Sequence, residues 1–270
     1  MTLIEIYKLT DKSNCGECGL ASCMAFAQAV ATGAKDAHGC TRLRPQDADM
    51  ITGQTAGAQA GQGFAASIEA LRDKVRRTDL RAAAPGLGAV YKEGTGLSVC
   101  ILGKEFVVDD NGVVTSDLHV NNWIQWLMLT YASTPDPKRP EGRWAPFEEL
   151  AGGRTTAGYF RKRFEEPLRV IADEHTDVLF ELLGLFGGRH VDGFDADYAV
   201  ELRPLPNVPM LVLYWRREED FPSKLTVMFD PAAAGYLGPE LITGMGRGLV
   251  EMLQKIIPRH EQGVLKIQYL

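Results

Sequence analysis

"DYAVELRPLPNVPMLVLYWRREEDFPSKLTVMFD", residues 197–230, holds three apolar runs: 197–205, 209–216 and 224–230. Val, Leu, Tyr and Phe dominate each run, and Pro, Asn and charged clusters bound them, so each reads as a strand. The three follow one another with no helical pattern between them. Strands that cluster in this way, rather than alternating with helices, predict an α+β fold with an antiparallel sheet.

Upstream, "LSVCILGKEFVVDDNGVVTS" (97–116) predicts two or three further short strands, with Asp110-Asn111-Gly112 as a tight turn. Helical spacing appears at 67–84, at 118–132 with Trp123 and Trp126, at about 156–173 and 177–186, and at about 239–256. A Pro-rich stretch at 133–150 interrupts the series, and "VLKIQYL" (264–270) predicts a last strand. At the other end, "LIEIYKL" (3–9) alternates and predicts a short strand or extended lead-in. Residues 52–67, rich in Gly, Ala, Gln and Thr and almost uncharged, predict a flexible connection. The expected organisation is a small module over 1–50, a linker over 51–66 and an α+β domain of unknown function over 67–270. No internal repeat is visible.

Composition narrows the function. The chain has 270 residues, 45% hydrophobic and 24% charged, with a formal net charge of −6. That is ordinary globular composition. With no basic stripe to displace phosphate counterions, a nucleic-acid partner is not expected; "RDKVRR" (72–77) reads as a solvated helix face. The N-terminus is too short and charged for a signal peptide, and no apolar run reaches membrane-spanning length, so no membrane partner is expected either. The expected location is the cytoplasm, where thiols stay reduced. Cysteines there serve metals or catalysis rather than disulfides.

Four of the five cysteines lie near the N-terminus, in "NCGECGLASCMAFAQAVATG" (14–33) and at position 40. Cys15, Cys18, Cys23 and Cys40 form a C-x2-C-x4-C-x16-C pattern. Cys15 and Cys18 can face one centre from a tight loop with Gly16 and Gly19 relieving the backbone, and Cys23 enters from the first turn of the next helix. Leu20, Met24, Ala27 and Val30 predict that helix, and Gly33 its stop. The helix from Cys23 to Gly33 travels about 15 Å. Seven extended steps from Gly33 to Cys40 cover about 23 Å, so Cys40 can return. Four thiolates suit zinc or an iron–sulfur cluster. Zinc usually joins two separate C-x2-C knuckles, whereas three ligands crowded on one loop suit the separated corners of a [4Fe–4S] cubane. Zinc is the alternative.

The remaining candidates are weaker. Cys100 in "LSVCIL" reads as a buried structural thiol. His190, Asp192, Asp195 and Asp197 gather within eight positions but lack calcium-loop spacing, and read as a polar loop. The connection "RREEDFPSK" (216–224) reads as an ordinary loop or as the rim of a ligand or partner site. Trp215, Phe229 and Tyr236 read as core rather than as one pocket. His119 and His175 read as isolated. No Gly-x-Ser-x-Gly, HExxH, Walker or dinucleotide motif is present, so no catalytic residue is assigned.

"IYKLTDKSNCGECGLASCMAFAQAVATG…C" resembles the cluster module of the large subunit of the corrinoid iron–sulfur protein, the gamma subunit of the acetyl-CoA decarbonylase/synthase complex. The resemblance spans about residues 2–45. It implies a low-potential [4Fe–4S] cluster on Cys15, Cys18, Cys23 and Cys40 that reductively reactivates a corrinoid. That family continues into a barrel and a corrinoid-binding region, and residues 46–270 show neither the length nor the repeating strand–helix pattern expected of these. From about residue 60 the chain is instead similar to an uncharacterised domain found with such modules in anaerobes. The similarity lies in "RWAPFEELAGG" (143–153), 195–215 and 218–237. The implied role is one-electron transfer to a redox partner protein, a corrinoid protein or methyltransferase among the candidates, with a corrinoid as a second cofactor. This leans away from an enzyme. Two other classes stay open: an enzyme whose C-terminal domain binds a tetrapyrrole or other small molecule, and a binding protein in which the metal is only a staple.

Overall fold

A computed structural model describes residues 1–31 and 35–261, without the side chains of 53–64. The chain divides into two compact units, Met1–Ala70 and Leu71–Leu270.

The first unit is helical. Helix α1 spans Leu3–Leu9, where alternation predicts a strand. A capping box decides the outcome. Thr2 Oγ1 accepts from Glu5 N at 3.3 Å, and Glu5 Oε2 accepts from Thr2 N at 2.7 Å. Ile6 is then buried and Ile4 is 60% exposed. Helix α2 spans Cys23–Ala31 and buries Cys23, Phe26, Ala27 and Val30. Met24, expected on that face, points outward at 42% exposure, and the expected stop at Gly33 lies outside the described residues. A 3-10 turn follows at Ala37–Gly39. Helix α3 runs Pro45–Arg76, so the stretch expected as a flexible connection has helical backbone. Uncharged Gly, Ala and Gln give little hydrophobic contrast, which hid the helical period there. Ile6, Phe26, Ala27, Val30, Ala37, Leu43, Ala48 and Ile51 form the core of this unit.

The second unit is α+β, built on two antiparallel sheets. After α4 (Leu80–Ala83) come β1 (Val90–Lys92), β2 (Gly96–Ile101), β3 (Lys104–Val108) and β4 (Val114–Thr115), paired in sequence order. Asp109 takes the β3–β4 turn, accepting from Asn111 N and Val113 N, while Gly112 adopts φ +77°. Helix α5 (Asn122–Ala132) follows, capped by Asn121. Next come β5 (Ala145–Pro146), α6 (Ala157–Phe160), a π-helical turn at Arg161–Glu165, α7 (Glu166–Glu174) and α8 (Thr176–Leu185). Strands β6 (Arg189–His190), β7 (Tyr198–Leu205), β8 (Val208–Trp215) and β9 (Lys224–Phe229) complete the second sheet, in order β5-β9-β8-β7-β6. The three strands expected over 197–230 are its centre. Short α9 (Ala233–Tyr236) precedes α10 (Pro239–Glu261). The strand expected at 264–270 lies outside the described residues.

Seven of the eight residues of β8 are buried, because both faces of the sheet are covered. Met210, Val212 and Tyr214 share one face with Val227 and Phe229, against which α7 packs. On the other face Ala199, Leu211 and Leu213 gather Trp144, Val191, Phe194, Trp215 and Met228. Trp215 and Phe229 thus lie on opposite faces and line no common pocket. Helix α10 crosses α5, α7, α8 and the π turn. There Gly246 permits a close approach: a Cβ on it would lie 2.3 Å from the Phe164 ring.

Candidate metal centre in the N-terminal module

The Cys15–Cys18 loop is held open by left-handed backbone. Gly16 and Gly19 have φ of +76° and +80°, where a side chain is strained, and Asn14 has +52°. Gly19 N donates to Gly16 O at 2.8 Å, closing the turn around the cysteine pair. Cys23 is the first residue of α2, and its N–H donates to Asn14 Oδ1 at 2.8 Å. Ser22 Oγ accepts from Ala25 N at 3.1 Å, taking a second free amide of that helix start. The Cys23 thiol is buried and donates to Asp11 Oδ1 at 3.8 Å.

Cys40 belongs to a segment 25 residues further along, and charged side chains bring it to the loop. Glu17, between Cys15 and Cys18, accepts from Thr41 Oγ1 at 2.7 Å and from Arg42 at 2.7 and 3.2 Å. Those bonds hold the Glu17 carboxyl below the usual range, Arg42 first and Thr41 second. Arg42 is held above its ordinary value by Glu17 and, less strongly, by the charge of Cys15. On the other side Lys35 donates from Nζ to the carbonyl of Cys18. His38 sits between Asp36 and Asp49, with Nδ1 and Nε2 at 3.0 and 2.9 Å, and these carboxylates raise its pKa.

The fold therefore brings the three cysteine-bearing segments together. Cys18 and Cys40 are half-buried against the same core, Cys23 is buried and Cys15 is exposed. Among the described residues, no three Cys, His, Asp or Glu side chains form a group able to hold a metal. The chemistry of the donors nevertheless fits an iron–sulfur cluster: four thiols outside any disulfide, held by neighbouring segments, beside cationic side chains and a helix start. Sequence reasoning missed Glu17, Lys35, His38 and Arg42, whose partners are distant in sequence or ordinary-looking polar residues.

Elsewhere the polar candidates stay apart. His190 and Asp192 are 3.3 Å apart and exposed, while Asp197 accepts from Arg216 N and the Asp195 carbonyl from Trp215. His175 pairs with Glu261 at 2.7 Å and His119 is exposed. Cys100, expected to be buried, is exposed, because it falls on the outward phase of β2. An open cleft of about 490 Å³ between β9 and the π turn is lined by Arg161, Glu165, Arg169, Ser223, Lys224 and Thr226. Burial pushes the Glu165 carboxyl up, while its Oε1 accepts from Val227 N at 2.9 Å.

A family model described as "Domain of unknown function (DUF3786)" matches residues 79–252. The chain belongs to the DUF3786 family. In this DUF3786 protein a second model, described as "Putative Fe-S cluster", matches residues 11–42 and so takes in all four N-terminal cysteines. The protein is thus an iron–sulfur protein carrying a cluster domain ahead of its DUF3786 domain. The corrinoid type of that cluster domain is not what the match specifies. No curated protein and no solved structure matches it. Among the described residues of this DUF3786 protein, no helix is long and apolar enough to cross a membrane.

Proposed function

We propose that the N-terminal module carries one [4Fe–4S] cluster on Cys15, Cys18, Cys23 and Cys40, and that the protein transfers single electrons at low potential. The observation that carries this reading is the Glu17 carboxylate bound to Thr41 and Arg42, which ties the Cys15–Cys18 loop to the segment beginning at Cys40. When bound, the cluster supplies one-electron redox chemistry at a potential set by hydrogen bonds, nearby charge and solvent exposure. The residues of the module then have separate tasks. Gly16 and Gly19 supply the left-handed backbone that turns the Cys15–Cys18 loop, Asn14 and Ser22 fix the helix start at Cys23, and Glu17 holds the returning segment. The buried core of Ile6, Phe26 and Val30 shields the side of Cys18 and Cys40, while exposed Cys15 gives the side open to a partner.

The DUF3786 domain, on this proposal, docks the acceptor, a corrinoid or methyl-transfer protein. The supporting resemblance is that of residues 2–45 to the corrinoid iron–sulfur protein module. The test is reduction under anaerobic conditions followed by addition of cob(II)alamin and, separately, of cobalamin binding by calorimetry. A reduced cluster that reoxidises with formation of cob(I)alamin supports the corrinoid role. No reoxidation and no binding heat contradict it, and a cluster that no strong donor reduces contradicts electron transfer altogether.

A further inference from the structure

Lys35 lies between the two cysteine-bearing segments. Its ammonium donates to the Cys18 carbonyl. A Cβ on Gly19 would stand 3.4 Å from that Nζ, and one on Gly39 would stand 3.4 Å from Lys35 Cε. Two glycines, one beside Cys18 and one beside Cys40, thus flank the lysine side chain. The aliphatic stem packs there while the charged head uses one of its three donors on a backbone carbonyl.

The charge of this lysine is not cancelled. Arg42, the other cation of the site, is offset by Glu17 at 2.7 Å and by Asp11 at 3.8 Å. Among the described residues no carboxylate pairs with Lys35, and a carbonyl partner leaves the full positive charge in place. A few covalent bonds separate the carbonyl oxygen of Cys18 from its own sulfur. The ammonium therefore lies within about one Debye length, ~8 Å, of that sulfur, where salt screens it incompletely.

We propose that Lys35 is a positioning residue of the metal centre that locks the Cys18 loop to the Cys40 turn and raises the centre's reduction potential. This rests on the cluster reading above. Reduction adds one electron and one negative charge to the thiolate-bound centre, so a fixed positive charge beside it favours the reduced form. The positioning and electrostatic parts separate experimentally, since a neutral side chain of similar length can keep packing while losing charge.

The experiment compares the full chain with Lys35→Gln and Lys35→Arg, each purified anaerobically and titrated with dithionite. Iron content is read first and midpoint potential second. Lys35→Gln is expected to disfavour reduction about tenfold, a fall of about 59 mV for one electron, while Lys35→Arg stays near the wild type. Full iron with an unmoved potential in Lys35→Gln overturns the proposal and leaves the cluster reading standing. An Arg variant that shifts as far as Gln also overturns it. If Lys35→Gln retains no iron, retention of iron at the wild-type potential by Lys35→Arg supports the charge requirement, and loss of iron from both contradicts it. Absence of iron from the wild-type chain removes the cluster reading and this proposal together.

Discussion

Glu17 and Arg42 are 25 positions apart, yet the guanidinium Nη2 donates to the carboxylate at 2.7 Å. That pair joins the loop between the first two cysteines to the chain just beyond the fourth. Both side chains are about half exposed, so solvent weakens the pair as a source of global stability. Its consequence is local. It limits how far Cys40 can move from Cys15 and Cys18.

Glu17→Gln is accordingly expected to leave the thermal transition of the protein unchanged within error. Loss of iron to a chelator should accelerate several-fold, because the returning segment is held less firmly. Colorimetric iron release under anaerobic conditions checks this. Equal release rates would show that the pair does not hold the centre.

Phe164 and Gly246 approach closely where the π turn meets α10. Gly246→Ala places a methyl group where the ring lies and is expected to cost about 1–3 kcal/mol through overpacking. Denaturant unfolding measures it. Combining Gly246→Ala with Phe164→Leu should cost less than the sum of the single changes, since the second substitution vacates the clash.

Tyr131 is fully buried, its hydroxyl donating to Leu87 O at 2.6 Å and accepting from Asn207 N at 3.2 Å. Tyr131→Phe strands both partners and is expected to destabilise by about 1–3 kcal/mol, read as a lower urea midpoint at unchanged slope. Burial also pushes the phenol well above its ordinary value, so it stays protonated throughout the usable pH range.

Glu165 gives a pH-dependent contribution of defined sign. Burial raises its carboxyl above 4.5, so the folded state binds its proton more tightly than the unfolded chain. Stability from this group is full below the unfolded value and falls as pH rises toward the raised one. Glu165→Gln keeps an acceptor for Val227 N–H and removes the titration. The stability of the variant relative to the wild type should therefore increase from pH 4 toward neutrality, as followed by urea midpoints. A constant difference across that range would show that Glu165 is not perturbed.

The legibility of these features differs for physical reasons. Strands β7, β8 and β9 were readable because dense apolar runs bounded by turn residues admit few other structures. The two- and three-residue strands β1, β5 and β6 carry too few side chains for a period and were missed. In "LIEIYKL" two periods compete, and the Thr2–Glu5 capping box, visible in the sequence, outweighs alternation. The cysteine spacing gave the candidate ligands directly. The side chains that gather their segments did not show, because Glu17–Arg42 and Lys35–Cys18 are contacts made only after the chain has folded back.

Anaerobic purification with iron, acid-labile sulfide and zinc analysis per chain decides whether Cys15, Cys18, Cys23 and Cys40 hold a [4Fe–4S] cluster. A brown protein with about four irons and matching sulfide is the predicted result, lost on Cys40→Ala. A colourless protein holding one zinc, or iron content unchanged by Cys40→Ala, would contradict it.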